Sequence, residues 1–173
     1  NIEGWSIDGT TTSVTASLAD RFQNPVPDGT AVTFTTSHGS VGGQCTTTTA
    51  NGVGGVCSVT WRSQGTRTPL PLIPPAPPGR VALLATASGE ESFTDNNGNG
   101  AFDVGENFDD SYEPFRDDAQ SPTNPPSFVT GDFFYDFLKN GVRDGPDGIF
   151  EGVLCNDPAR CDPAKKSAGI GQQ

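Results

Sequence analysis

The chain has 173 residues, of which 22 are glycine and 15 proline, and carries a net charge of −11. This length fits one main core plus an insertion and excludes two full-sized domains, while the glycine, proline, threonine and valine content excludes an all-helical fold. A surface this acidic repels a phosphate backbone, which excludes nucleic acid as a partner and makes divalent cations the natural one.

The charge is unevenly spread. Residues 1–89 hold four acids and four bases, whereas residues 90–151 hold fifteen acids against Arg116, Lys139 and Arg143, a balance of −12. Three segments follow from this: a neutral strand-rich part over 1–89, an acidic insertion over 90–154, and a cysteine-bearing tail over 155–173 that forms a loop or a final strand.

In chain order, Val14, Ala16 and Leu18 alternate with small polar residues and predict a half-buried strand. Asn24-Pro25-Val26-Pro27-Asp28-Gly29 is turn chemistry, and Thr30 to Thr36 predicts a second strand with Val32 and Phe34 inward. After the His38-Gly39-Ser40 turn, a third strand is expected over Gln44 to Thr49. Asn51-Gly52 reverses the chain into Val56 to Trp61, where Cys57, Val59 and Trp61 share a face. Six prolines between Gly65 and Gly79 predict an extended, polyproline-like excursion, after which Arg80 to Ser88 returns as an apolar strand. A further strand near Trp5 to Asp8 brings the number to six within about 90 residues, the size of an immunoglobulin-like sandwich. One edge is then missing, to be supplied by the tail around Ile170 or by a neighbouring chain or domain.

The cysteines Cys45, Cys57, Cys155 and Cys161 form no zinc-type C-x-x-C pair. Cys45 and Cys57 flank a predicted hairpin and Cys155 and Cys161 bracket a short loop, so two local disulfides and an oxidising compartment are expected. With no methionine, leader or long apolar segment, the sequence reads as a mature or excised piece without membrane insertion.

Within the neutral part, Val14-Thr15-Ala16, Leu18-Ala19-Asp20, Asn24-Pro25-Val26-Pro27-Asp28-Gly29-Thr30, Val32-Thr33-Phe34-Thr35-Thr36 and Gly39-Ser40-Val41 resemble the bacterial Ig-like domains of invasin and intimin type. The resemblance continues in Thr49-Ala50-Asn51-Gly52-Val53, Val59-Thr60-Trp61 and Ala85-Thr86-Ala87, and covers about half of the chain. It implies an all-β, immunoglobulin-like β-sandwich in an extracellular, bacterial cell-surface stalk. The partners expected are adjacent domains or subunits of a surface protein or filament, joined in one version by strand exchange at the missing edge.

Asp95 to Glu106 fills every position of the calcium-loop pattern D-x-[DN]-x-[DN]-G-x5-E. Calcium takes six to eight hard oxygens, here expected from Asp95, Asn97, Asn99, the Ala101 carbonyl, Asp103 and a bidentate Glu106, with Gly100 providing the sharp turn. The loop resembles those of EF-hand and dockerin-like modules, but a strand precedes it and at most a short helix over Glu106 to Glu113 follows. A shape-holding ion is therefore expected instead of a signalling switch.

A weaker copy starts at Asp136 and places donors at Asn140, Val142 (carbonyl), Asp144 and Asp147, with Leu138 unable to ligate at its third position. Asp109, Asp110, Glu113, Asp117 and Asp118 form a third group without loop spacing, able to lend a carboxylate to a neighbouring ion. At least one calcium ion and at most three are expected. Phe128, Phe133, Phe134, Tyr135, Phe137 and Leu138 predict a satellite core within the acidic part. The lone His38 sits in a turn, and no catalytic motif occurs, so no enzymatic activity is expected. The resulting expectation is a calcium-stabilised structural module of an adhesin or extracellular filament, with a calcium-dependent receptor- or glycan-binding module as the alternative.

Overall fold

The computed structural model describes residues 4, 6–50, 52–65, 80–119, 121, 123, 126–152 and 154–161. Among them every regular element is a β-strand, and none forms a helix long and apolar enough to cross a membrane. The chain divides into two compact units, one of residues 1–86 and 115–133, the other of 87–114 and 134–173.

The first unit is built on β1 (Thr11–Ser17), β2 (Ala31–Thr36), β3 (Ser40–Val41), β4 (Gln44–Thr46), β5 (Thr48–Ala50), β6 (Val53–Arg62) and β7 (Leu83–Ala87). One sheet has the order β1-β6-β3 with β5 also on β6, and the other has the order β4-β2-β7. β1 runs antiparallel to β6 over its whole length, from Thr11 opposite Arg62 to Ser17 opposite Val56. The period-two pattern read from the sequence is realised here. Val32 and Phe34 of β2 and Cys57, Val59 and Trp61 of β6 are all buried, because alternate residues of a strand share a face. The Cys45–Cys57 disulfide, with Cα atoms 5.9 Å apart, joins β4 of one sheet to β6 of the other.

The expected third strand is broken at Thr47. This residue is fully buried, its hydroxyl donates to Pro27 O at 2.7 Å and accepts from Thr30 N at 3.0 Å, and it takes the chain from β4 to β5, from one sheet to the other. A threonine side chain that saturates the turn around Pro27 competes with the ladder for the same backbone groups. Ser6 to Asp8 are turn, not strand, while Trp5, the polyproline stretch 66–79 and the tail around Ile170 lie outside the described residues.

Residues 115–133 belong to this unit's excursion. β8 (Phe115–Arg116) pairs with β9 (Phe133–Phe134), and the buried Asp132 accepts from Ala119 N at 2.8 Å and Val129 N at 2.9 Å. Arg116 forms a two-pronged ion pair with Asp118 and lies over the Phe133 ring at 4.8 Å.

The second unit has no sheet of its own among the described residues. Its core is Phe102, Phe150 and Cys161, with Phe93, Phe108 and Cys155 packed around it. Phe102 and Phe150 stack at 4.5 Å, and Phe93 and Phe108 meet them edge-on, the arrangements that the ring quadrupole favours. This corrects the expected satellite core. Phe133, Phe137 and Leu138 are 38%, 41% and 56% exposed, and the buried rings are instead phenylalanines spaced singly along the acidic sequence. The short helix expected over Glu106 to Glu113 is also absent. That stretch is extended, with Phe108 bridged to Phe93, because Asp109 N is drawn to Ser92 O at 2.8 Å and Thr94 N to Asn107 O at 2.8 Å.

Candidate metal centre

Asp95 organises the first loop. Its carboxylate accepts from Gly98 N at 2.7 Å, Asn99 N at 3.2 Å and Gly100 N at 2.7 Å. Gly98 and Gly100 hold φ of 74° and 78°, the left-handed region that glycine enters without penalty. Asn99 Oδ1 takes Ala101 N at 2.8 Å, so the Ala101 peptide is turned by the residue two before it. Glu106, at position twelve, is buried and spans the loop with both oxygens, accepting Asn96 N at 2.7 Å and Asp103 N at 2.9 Å.

Asp103 is the focus of positive dipole ends. The amides of Asn97 and Asn99 both donate to its Oδ2, at 2.7 and 2.6 Å, and Asn156 donates to Oδ1 at 3.0 Å. These three donors, Asn97 foremost, hold its carboxyl below the usual aspartate range. Among the described residues no three acid, histidine or cysteine side chains converge as a ligand group. The donor set of the loop is mixed: carboxylates at Asp95, Asp103 and Glu106, amides at Asn97 and Asn99, and the Ala101 carbonyl, all hard oxygens of the kind calcium takes. The Asn97 and Asn99 oxygens accept Asn99 N at 2.9 Å and Ala101 N at 2.8 Å, and an amide oxygen has a second lone pair to offer a cation.

The second loop repeats the bonds made at the first, fifth, sixth, seventh and ninth positions, without those of the third. Asp136 accepts Asn140 N at 3.1 Å and Gly141 N at 2.8 Å, Asn140 Oδ1 accepts Val142 N at 2.8 Å, and Asn140 Nδ2 donates to Asp144 at 2.8 Å. Gly141 has φ of 79°, and Lys139, at the place of Gly98, has φ of 54°. The closing carboxylate comes from elsewhere in the chain. Glu113, fully buried, accepts Phe137 N at 2.7 Å and Asp144 N at 3.1 Å, the same second and ninth positions that Glu106 holds in the first loop. Leu138 at the third position is exposed.

Asp147, assigned from the sequence to position twelve of this loop, belongs to a third arrangement. Asp147 N and Gly148 N donate to Asp110 at 3.2 and 2.6 Å, and Asp147 Oδ1 accepts Ile149 N at 2.8 Å. The buried Glu91 then accepts Ser111 N at 2.9 Å and Glu151 N at 3.0 Å. Asp110, Asp147, Gly148 (φ 79°), Ile149, Glu151 and Glu91 thus stand where Asp95, Asn99, Gly100, Ala101, Asp103 and Glu106 stand in the first loop. Here the loop is assembled from three separate segments. Burial pushes the Glu91 carboxyl above the usual range, against the two backbone donors that favour its charged form.

Of the residues read from the sequence, Asp95, Asn97, Asn99, Ala101, Asp103 and Glu106 lie in one loop, and Asp136, Asn140, Val142 and Asp144 in another. Glu91 and Glu151 were not singled out, and Glu113 and Asp110 were assigned only to a cluster without loop spacing. The sequence signal for all three loops is a shared half-motif: Asn99-Gly100-Ala101-Phe102-Asp103, Asn140-Gly141-Val142-Arg143-Asp144 and Asp147-Gly148-Ile149-Phe150-Glu151. Its eighth-position residues Phe102 and Phe150 form the stacked core of the unit.

Two disulfides belong to an oxidising compartment. No family model matches the sequence, and neither the curated proteins nor the solved structures contain a significant match to it.

Proposed function

We propose that this chain is a calcium-stabilised structural module of a bacterial cell-surface adhesin or extracellular filament, an Ig-like β-sandwich followed by an acidic unit that holds up to three calcium ions. The observation that carries this reading is the recurrence, three times, of one hydrogen-bond scheme in which a buried glutamate receives the second and ninth amides of a loop. Buried carboxylates are costly unless their charge is matched, and Glu91, Glu106, Glu113, Glu151 and Asp157 are all buried within one small unit. Divalent cations supply that match, and folding of the unit is then linked to the ion. The sandwich disulfide and the two antiparallel sheets support a role in spacing and rigidity, with neighbouring domains or subunits as partners through the short edge strands.

The test is a thermal melt of the intact chain in calcium, in magnesium and in excess chelator, with calcium stoichiometry from equilibrium dialysis. Chelation is expected to lower the melting temperature, with magnesium restoring it poorly because magnesium demands tighter octahedral geometry. An unchanged melt in excess chelator refutes the reading.

A second reading is favoured by one observation. Phe137, Leu138 and Val142 of the second loop are 41%, 56% and 61% exposed, and Tyr135 stacks on Phe137 at 5.5 Å. An apolar surface on a calcium loop is a platform for a receptor or glycan whose binding depends on calcium. Loss of surface or glycan binding in F137A, with the melt unchanged, would favour it.

A further inference from the structure

The loop closed by Cys155 and Cys161 is wrapped around the first cation loop. Leu154 O accepts from Phe102 N at 3.0 Å and Asn156 N donates to Phe102 O at 2.7 Å, so both backbone groups of the eighth position are held by the tail. At the ninth position Asn156 Nδ2 donates to Asp103 Oδ1 at 3.0 Å. At the twelfth, Arg160 donates to the Glu106 carbonyl at 3.2 Å, and its guanidinium lies over the rings of Phe102 and Phe108 at 5.3 and 4.9 Å. The far end of the same loop pairs with the third arrangement: Phe150 N donates to Arg160 O at 2.6 Å, and Cys161 is bridged to Phe150. Asp157 is buried at its turn and accepts Ala159 N at 3.0 Å.

We infer that the Cys155–Cys161 loop is the outer shell of the Asp95–Glu106 site, that Asn156 and Arg160 are its positioning residues, and that the disulfide makes calcium affinity depend on oxidation. The inference rests on the calcium reading above. Outer partners orient the groups that touch a metal, and their removal typically weakens metal binding about 10- to 100-fold. Here the orienting groups sit on a loop whose ends are held on the core by backbone bonds to Phe102 and Phe150 and joined to each other by a cross-link between residues six apart in sequence. In the reduced chain only those backbone bonds hold the two ends. Each calcium contact through Asp103 or Glu106 must then order a longer, looser tail. By linkage, calcium protects the disulfide from thiols by the same factor that the disulfide tightens calcium binding.

The experiment is calorimetric titration of calcium chloride into the intact oxidised chain, into C155S/C161S, into N156A, and into C45S/C57S as a control cross-link. E106Q identifies which binding step belongs to the first loop. That step is expected to weaken about tenfold or more in C155S/C161S and roughly three- to tenfold in N156A, and to stay unchanged in C45S/C57S. N156A keeps the disulfide and removes one exposed hydrogen bond, so its melt in chelator is expected to fall far less than that of C155S/C161S while its first-loop calcium step still weakens, which separates positioning of Asp103 from general stabilisation. It also serves if C155S/C161S does not fold. Thiol release from Cys155–Cys161 in a glutathione buffer should fall in calcium by the factor measured for affinity. An unchanged first-loop step in both C155S/C161S and N156A overturns this inference and leaves the calcium reading standing. Absence of calcium uptake by the oxidised wild type overturns the calcium reading and this inference with it.

Discussion

Glu113→Gln tests whether the second loop closes through space or along the sequence. Both Glu113 oxygens accept backbone amides, Phe137 N at 2.7 Å and Asp144 N at 3.1 Å, and the side chain is fully buried. Glutamine keeps one acceptor and turns an NH2 toward the other amide. One charge-assisted bond of about 1.5–3 kcal/mol is lost and a buried donor is left facing a donor, while removal of a buried charge offsets part of the loss. The net cost in chelator is about 2 kcal/mol, on the order of 10 °C for a unit of this size. In calcium at about 100 times its dissociation constant, loss of the bound ion adds up to about 2.7 kcal/mol. Asp147→Asn is the comparison. Asp147 is exposed and accepts the Ile149 amide at 2.8 Å, a bond asparagine retains, so its cost should stay near that of an ordinary surface substitution, about 0.5 kcal/mol in chelator. Urea unfolding followed by circular dichroism, with and without calcium, measures both. Equal costs for the two variants, or a larger cost for Asp147→Asn, would refute the through-space closure.

Two further outcomes are expected. Glu91 has a raised carboxyl, so its contribution to stability is complete below its ordinary value near 4.5 and is lost as pH rises through the raised one, whereas Asp103, lowered from 3.8, contributes above that value and loses its share as pH falls. In chelator, E91Q should therefore flatten the decline in urea midpoint above about pH 4.5; parallel profiles for the two proteins would count against a buried, charge-averse Glu91. In the sandwich, G39A should cost about 2 kcal/mol or more. Gly39 has φ of 74°, and a Cβ there would stand 2.6 Å from Arg62 O and 2.7 Å from the Trp61 ring, which is itself pinned by its Nε1 bonds to Thr36 and His38. A urea midpoint equal to the wild type's would show that the turn can relax.

What the sequence made legible depended on whether interacting residues were neighbours in it. β1, β2 and β6 follow their alternation because each buries one face, and Val32, Phe34, Cys57, Val59 and Trp61 are the residues the period selects. The cysteine pairs were readable because each closes a short span. The break at Thr47 was not, because it arises from hydrogen bonds to Pro27 and Thr30 made only in the folded chain. The same distinction separates the three loops. The first keeps all its residues within Asp95 to Glu106, whereas the second takes its glutamate from 24 residues before Phe137 and the third gathers four acids from three segments. The run of aromatics from Phe133 to Leu138 misled for a related reason. Hydrophobicity in a row marks a core only when a periodic backbone turns one side inward, and the loop around Asp136 has no such period.

The separations of these contacts also set an order of assembly. The first loop closes through a glutamate 10 residues from Asn96, the second through one 24 and 31 residues from its amides, and the third through a contact between Glu91 and Glu151 that spans 60. Loop-closure entropy grows only as the logarithm of length, so the step from 10 to 60 residues adds about 1.6 kcal/mol, but that cost falls before any of the third site's bonds exist to repay it. A chain emerging from a ribosome or a secretion pore has the first loop complete at residue 106 and cannot join Glu91 to Glu151 until 45 further residues have followed. The third loop is thus a latch that closes last of the three, and its closure marks that the chain has been delivered as far as residue 151.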